Sequence, residues 1–108
     1  MPRAIAVYGD MVLEHAILNV RRGSESAFEE TMREAQPLIA ATPGFLGMEV
    51  RPCIETDGKY LLLVKWDSLE AHTRGFRGSE RYAEWKRLLH HFYEPFPVVE
   101  HYGDVLAL

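Results

Sequence analysis

Trp66 and His72 close the segment Trp66-Asp67-Ser68-Leu69-Glu70-Ala71-His72, which holds more chemistry than any other stretch of this 108-residue chain. An imidazole titrates near neutral pH, so His72 is suited to take up or give a proton there. An indole offers a flat wall for an aromatic ring, although it serves core packing equally well. Asn19 adds an amide that can orient a carbonyl or bond the neighbouring backbone. Arg74-Gly75-Phe76-Arg77-Gly78-Ser79 places two arginines between glycines directly before a helix start. There a carboxylate or phosphate could dock, Arg77 being the nearer contact. The same segment reads equally as a solvated connection whose arginines pair with Glu80 or Glu84, or as a lid hinged at Gly75 and Gly78. Phe76, Tyr82 and Trp85 either border a cleft or fill the core.

Metal chemistry has little to stand on. His90 and His91 are adjacent and point about 100° apart on a helix, and no HxH or HxxxH spacing occurs. The one arrangement to check is His101 beside His15, should the outer and first strands pair. Cys53 lies late in a strand with no His or Lys next to it, which argues against a reactive thiol.

The elements that must position these groups emerge from periodicity. Leu13 to Val20 alternates as a strand, with His15, Ile17 and Asn19 on one face and Ala16, Leu18 and Val20 on the other. Ser26 with Glu29 offers a capping box, Ser24 an alternative cap. Phe28, Met32, Ala35 and Ile39 then recur at helical spacing until Pro43-Gly44. Phe45 to Arg51 is a second strand, and Glu55-Thr56-Asp57-Gly58 turns into a third from Lys59 to Lys65. Asp67 with Glu70 is a second capping box, which starts a helix at the strand end and puts His72 one turn in. A longer helix runs from about Ser79 to Phe92, and Pro95 and Pro97 precede a last strand near 98–101.

The order β-α-β-β-α-β folds most simply as a ferredoxin-like split βαβ, an antiparallel sheet with both helices on one face. The domain spans 12–102, with 1–11 as a tail or short added strand and 103–108 as a C-terminal tail. Leu62 and Val64 share one face of the third strand while Leu61 and Leu63 share the other. A sheet covered on one face should not be apolar on both, so a second copy of the sheet is expected over the bare face, giving a homodimer. A formal charge of −4 without a basic stripe points away from nucleic acid and anionic membranes. A single cysteine and the lack of a signal or membrane span suggest the cytoplasm.

Thr42-Pro43-Gly44-Phe45 before the second strand, Trp66-Asp67-Ser68 ending the third, and Glu70-Ala71-His72 resemble the antibiotic biosynthesis monooxygenase family. The likeness runs over roughly 13–102. It implies an α+β dimeric barrel of ferredoxin-like domains and small-molecule chemistry. The family's polyketide oxygenases carry Asn-x-x-x-Trp, a Tyr six residues later and an Arg on the next helix. Here Leu62 stands for the Asn, His72 for the Tyr and Lys86 for the Arg. Its heme degraders need an Asn, a Trp and an axial His; Asn19 fits, but Gly75 and Trp85 occupy the other positions.

The resemblance thus implies a monooxygenase needing no metal, heme or flavin, with molecular oxygen as co-substrate and a phenolic, quinol-like or related compound as substrate. His72 and Asn19 would do the catalysis, and Trp66, Phe76, Arg77, Tyr82, Trp85 and Lys86 would bind the substrate. A non-catalytic binding or sensing protein, or an oxygen-independent isomerase, would use the same cleft.

Overall fold

The computed structural model describes residues 11–108, so the tail or added strand expected over 1–11 lies almost wholly outside the described residues. Four strands, β1 (Val12–Asn19), β2 (Phe45–Pro52), β3 (Lys59–Trp66) and β4 (Glu100–Tyr102), form one sheet in the order β2-β3-β1-β4. All neighbours are antiparallel. The helices α1 (Glu25–Ala40) and α2 (Glu80–Leu89) cover one face. This is the split βαβ arrangement expected from the element order.

Alternation decides which side chains meet the helices. Ala16 and Leu18 of β1, Val20 just after it, and Tyr60, Leu62, Val64 and Trp66 of β3 are buried against Phe28, Met32, Ala35 and Ile39 of α1 and Trp85 and Leu89 of α2. His15, Ile17 and Asn19 point to the bare face, as do Leu61 and Leu63, because successive strand residues alternate.

Both expected capping boxes fail. The first helix begins at Glu25 with Ser24 at its N-cap, and no Ser24 side-chain bond forms. Instead the Glu25 carboxylate accepts from Gly23 N at 2.8 Å. At the end of β3, Ser68 Oγ accepts from Ala71 N at 3.1 Å, so Ser68 does the work expected of Asp67. The chain then makes a wide π-helical turn, Ala71–Phe76, sealed by Arg77 N donating to His72 O at 3.1 Å. The turn buries His72 and Phe76 together. Ser79 Oγ then caps α2 by accepting from Tyr82 N at 3.3 Å. The expected long helix to Phe92 ends at Leu89 and tightens to 3₁₀ over His90–Phe92.

Candidate active site

Between the helices and the sheet lies a cavity of about 330 Å³, large enough for one or two fused aromatic rings. Phe76, Tyr82, Trp85, Tyr93 and Phe96 form its aromatic walls, and Met32, Ile39 and Leu62 its aliphatic ones. Its polar groups are few: Glu14, His72, Arg77 and His90, besides the Tyr82 and Tyr93 hydroxyls.

Glu14 is the residue that sequence reasoning missed. It shares the parity of Ala16 and Leu18 and is therefore turned toward the helices, with 5% of its surface exposed. Trp66 Nε1 donates to Glu14 Oε1 at 2.9 Å, and His72 Nε2 stands 3.4 Å from the same oxygen. Glu14 Oε2 makes no hydrogen bond among the described residues, and Glu14 lines the cavity. Burial raises the Glu14 carboxyl above its ordinary 4.5, against the opposing pull of the Trp66 hydrogen bond and the Arg77 charge. A charged side chain on the apolar face of a strand was the available signal, since ionisable groups are rarely buried without a purpose.

His72 is 3% exposed and lines the cavity, as its position one turn past the strand suggested. Its ring stacks on Trp66, centroids 5.2 Å apart and planes within 15°. Its Nδ1 is 2.8 Å from His101 Nε2. Burial first, then the charges of Arg77 and His101, push the His72 imidazole down to about 3, so the ring is neutral at physiological pH. An ordinary imidazole pKa near 6.5, expected from the residue type, does not hold here. His101 is lowered too, by burial and by Arg77.

Of the other candidates, Phe76, Arg77, Tyr82 and Trp85 line the cavity. The Arg77 guanidinium makes no hydrogen bond or salt bridge among the described residues; Glu84, one of its expected partners, is held instead by Arg87. Trp66 is fully buried behind His72 and is not a wall of the cavity, because its ring is spent on stacking and its N–H on Glu14. Asn19 is exposed at the far end of β1 on the opposite face, where its carbonyl accepts from Glu94 N at 3.0 Å and its side chain makes no hydrogen bond among the described residues. Lys86 is exposed and lies 5.2 Å over the Tyr82 ring, outside the lining.

His101 faces Glu14 across the β1–β4 pairing while His15 faces Glu100, so the two histidines lie on opposite sides of the sheet and cannot share a metal. Among the described residues no three His, Cys, Asp or Glu side chains converge as a metal site would require. Glu14 and His101 approach opposite nitrogens of His72, which makes a line rather than a cage.

Residues 11–88 match the antibiotic biosynthesis monooxygenase family model. The uncharacterised protein YczJ of Bacillus subtilis is 52% identical over 95 residues, 88% of this chain and 100% of that one. A crystal structure assigned to the same family, from Bordetella bronchiseptica, superimposes with a TM-score of 0.84 at 32% identity, covering 90% of this chain and 99% of the other. SnoaB, a cofactor-independent oxygenase of Streptomyces nogalater, shares the fold with a TM-score of 0.79 at 17% identity, over 92% and 97% of the two chains.

Proposed function

The chain belongs to the antibiotic biosynthesis monooxygenase family, and we propose that it is a cofactor-independent monooxygenase of a phenolic or quinol-like compound bound in the cavity. One observation carries this reading. A buried carboxylate with a raised pKa lines an aromatic-walled cavity, and a neutral imidazole stands beside it. A carboxyl whose pKa is raised is a better proton acceptor than an ordinary one, because catalytic power rises with basicity.

In this scheme Glu14 Oε2 takes the phenolic proton. The phenolate then passes one electron to dioxygen, and the resulting superoxide couples at the para carbon. Transfer of the para proton to the departing oxygen with cleavage of the O–O bond leaves a quinone and hydroxide, and the proton held by Glu14 completes the water. Phenol plus dioxygen equals para-quinone plus water, with one oxygen atom of dioxygen in each product. Arg77, on the cavity wall, stabilises the phenolate and superoxide charges. Phe76, Tyr82 and Trp85 clamp the ring, while Trp66 and His72 hold Glu14 in place. The structural kinship with SnoaB is in keeping with oxygenation lacking a cofactor.

Oxygen uptake with 1-naphthol and related hydroxynaphthalenes tests the proposal. One dioxygen should be consumed per quinone formed, and turnover should stop under argon. Turnover that continues without oxygen would favour an isomerase, for which a Glu–His pair serves equally well. Tight binding without turnover would favour a sensor. The bare sheet face, bearing Leu13, Ile17, Leu61 and Leu63, we assign to a second copy of the chain, giving a homodimer of domains spanning 12–102. The single cysteine is in keeping with a cytoplasmic setting.

A further inference from the structure

We propose that Glu14, His72 and His101 form a proton relay leading from the cavity to the edge of the sheet at β4. The proposal rests on the reading of the cavity as a place where a proton is abstracted. Glu14 accepts a proton only when it is itself deprotonated, so its carboxyl must exchange protons with water, and a bound aromatic ligand would close the cavity side to water. The three side chains offer another way out. Glu14 Oε1 lies 3.4 Å from His72 Nε2, and His72 Nδ1 lies 2.8 Å from His101 Nε2. Exposure rises along the line: Glu14 and His72 are buried, and His101 is partly exposed on the outermost strand.

The transfer balances with His72 in its Nδ1–H tautomer, donating to His101 Nε2. A proton on Glu14 Oε1 passes to His72 Nε2 as the Nδ1 proton passes to His101 Nε2. His101 then releases its Nδ1 proton to water, and tautomeric shifts reset both His72 and His101. The groups facing His72 are Glu14 from β1, His101 from β4 and Arg77 after the π turn. Arg77 disfavours a second positive charge on either imidazole, so a proton crosses the pair without resting there. The register that places His101 opposite Glu14 makes β4, only three residues long, a functional element of the site.

Exchange of the His72 ring proton with water, read by ¹⁵N NMR, tests the relay without any turnover. It is measured in the wild type, His101→Gln and His101→Phe, each free and saturated with 4-nitrocatechol. Gln keeps a hydrogen-bonding group for Nδ1 but cannot pass a proton through, and Phe removes the bond as well. Exchange should slow at least ~10-fold in both variants with 4-nitrocatechol bound, a modest share of what a lost proton-transfer group costs. Equal rates in all three proteins would overturn the relay. Failure of 4-nitrocatechol to bind would count against the aromatic cavity, and the free proteins would then decide the relay by the same comparison.

Discussion

Glu14 and His72 are each shifted by the same cause in opposite directions, since burial penalises the charged form of both. For His72 the folded value of about 3 lies below the ordinary 6.5, so between these values the unfolded chain binds the extra proton. Stability from this group is therefore complete above pH 6.5 and is lost as pH falls through that window. At about pH 5 the loss relative to about pH 8 is on the order of 2 kcal/mol. Glu14 contributes with the opposite sign, because its raised folded pKa takes up a proton above 4.5. Thermal unfolding of the wild type and His72→Phe at about pH 8 and about pH 5 should show the variant losing less stability on acidification. A second electrostatic test uses Arg77, whose charge lowers both His72 and His101. Arg77→Gln should raise the pKa of His101 in an NMR titration. Chemistry at this scale was half legible in the sequence. His72 stood out by type and by its place after Trp66, whereas Glu14 needed its strand parity weighed against its charge. His101 depends on the β1–β4 register, which no local pattern encodes.

The elements were legible where hydrophobic period is strong, as in β1, β3 and α1, and poorly so at the corner after β3. The Asp67/Glu70 spacing mimics a capping box, but tertiary contacts override it: Asp67 N donates to Gly44 O at 2.8 Å, tying the start of β2 to the end of β3. Gly44 has φ +93°, and a Cβ there would stand 2.5 Å from Asp67 Oδ1 and 2.7 Å from Ala71 Cβ. Gly44→Ala should therefore destabilise the fold by ~1–3 kcal/mol in denaturant unfolding, combining strain with crowding. It should also lower activity, because Ala71 precedes His72 in the π turn. The arginine-glycine segment, readable as a loose lid, is instead hydrogen-bonded throughout, with Gly78 N donating to Arg74 O at 3.0 Å.

At the scale of the whole molecule, one face of the sheet is packed by helices and the other carries half-buried Leu13, Ile17, Leu61 and Leu63. The doubly apolar third strand made this visible in the sequence, since a solvated face would have alternated with polar residues. If a second copy covers that face, Leu63→Lys should convert a dimer to a monomer in light scattering at micromolar concentration while the far-ultraviolet circular dichroism is kept. A dimer that survives Leu63→Lys would place the interface elsewhere. The proposed proton abstraction by Glu14 joins these scales, because the strand parity, the π turn and the β4 register all converge on that carboxylate. Its decisive test is the rate of oxygen uptake by Glu14→Gln with a hydroxynaphthalene that the wild type oxidises. The amide preserves the Trp66 bond and the shape but cannot accept the proton. Binding should remain within a few-fold while kcat falls ~10²–10⁴-fold; a variant that turns over at the wild-type rate would show that Glu14 is not the base.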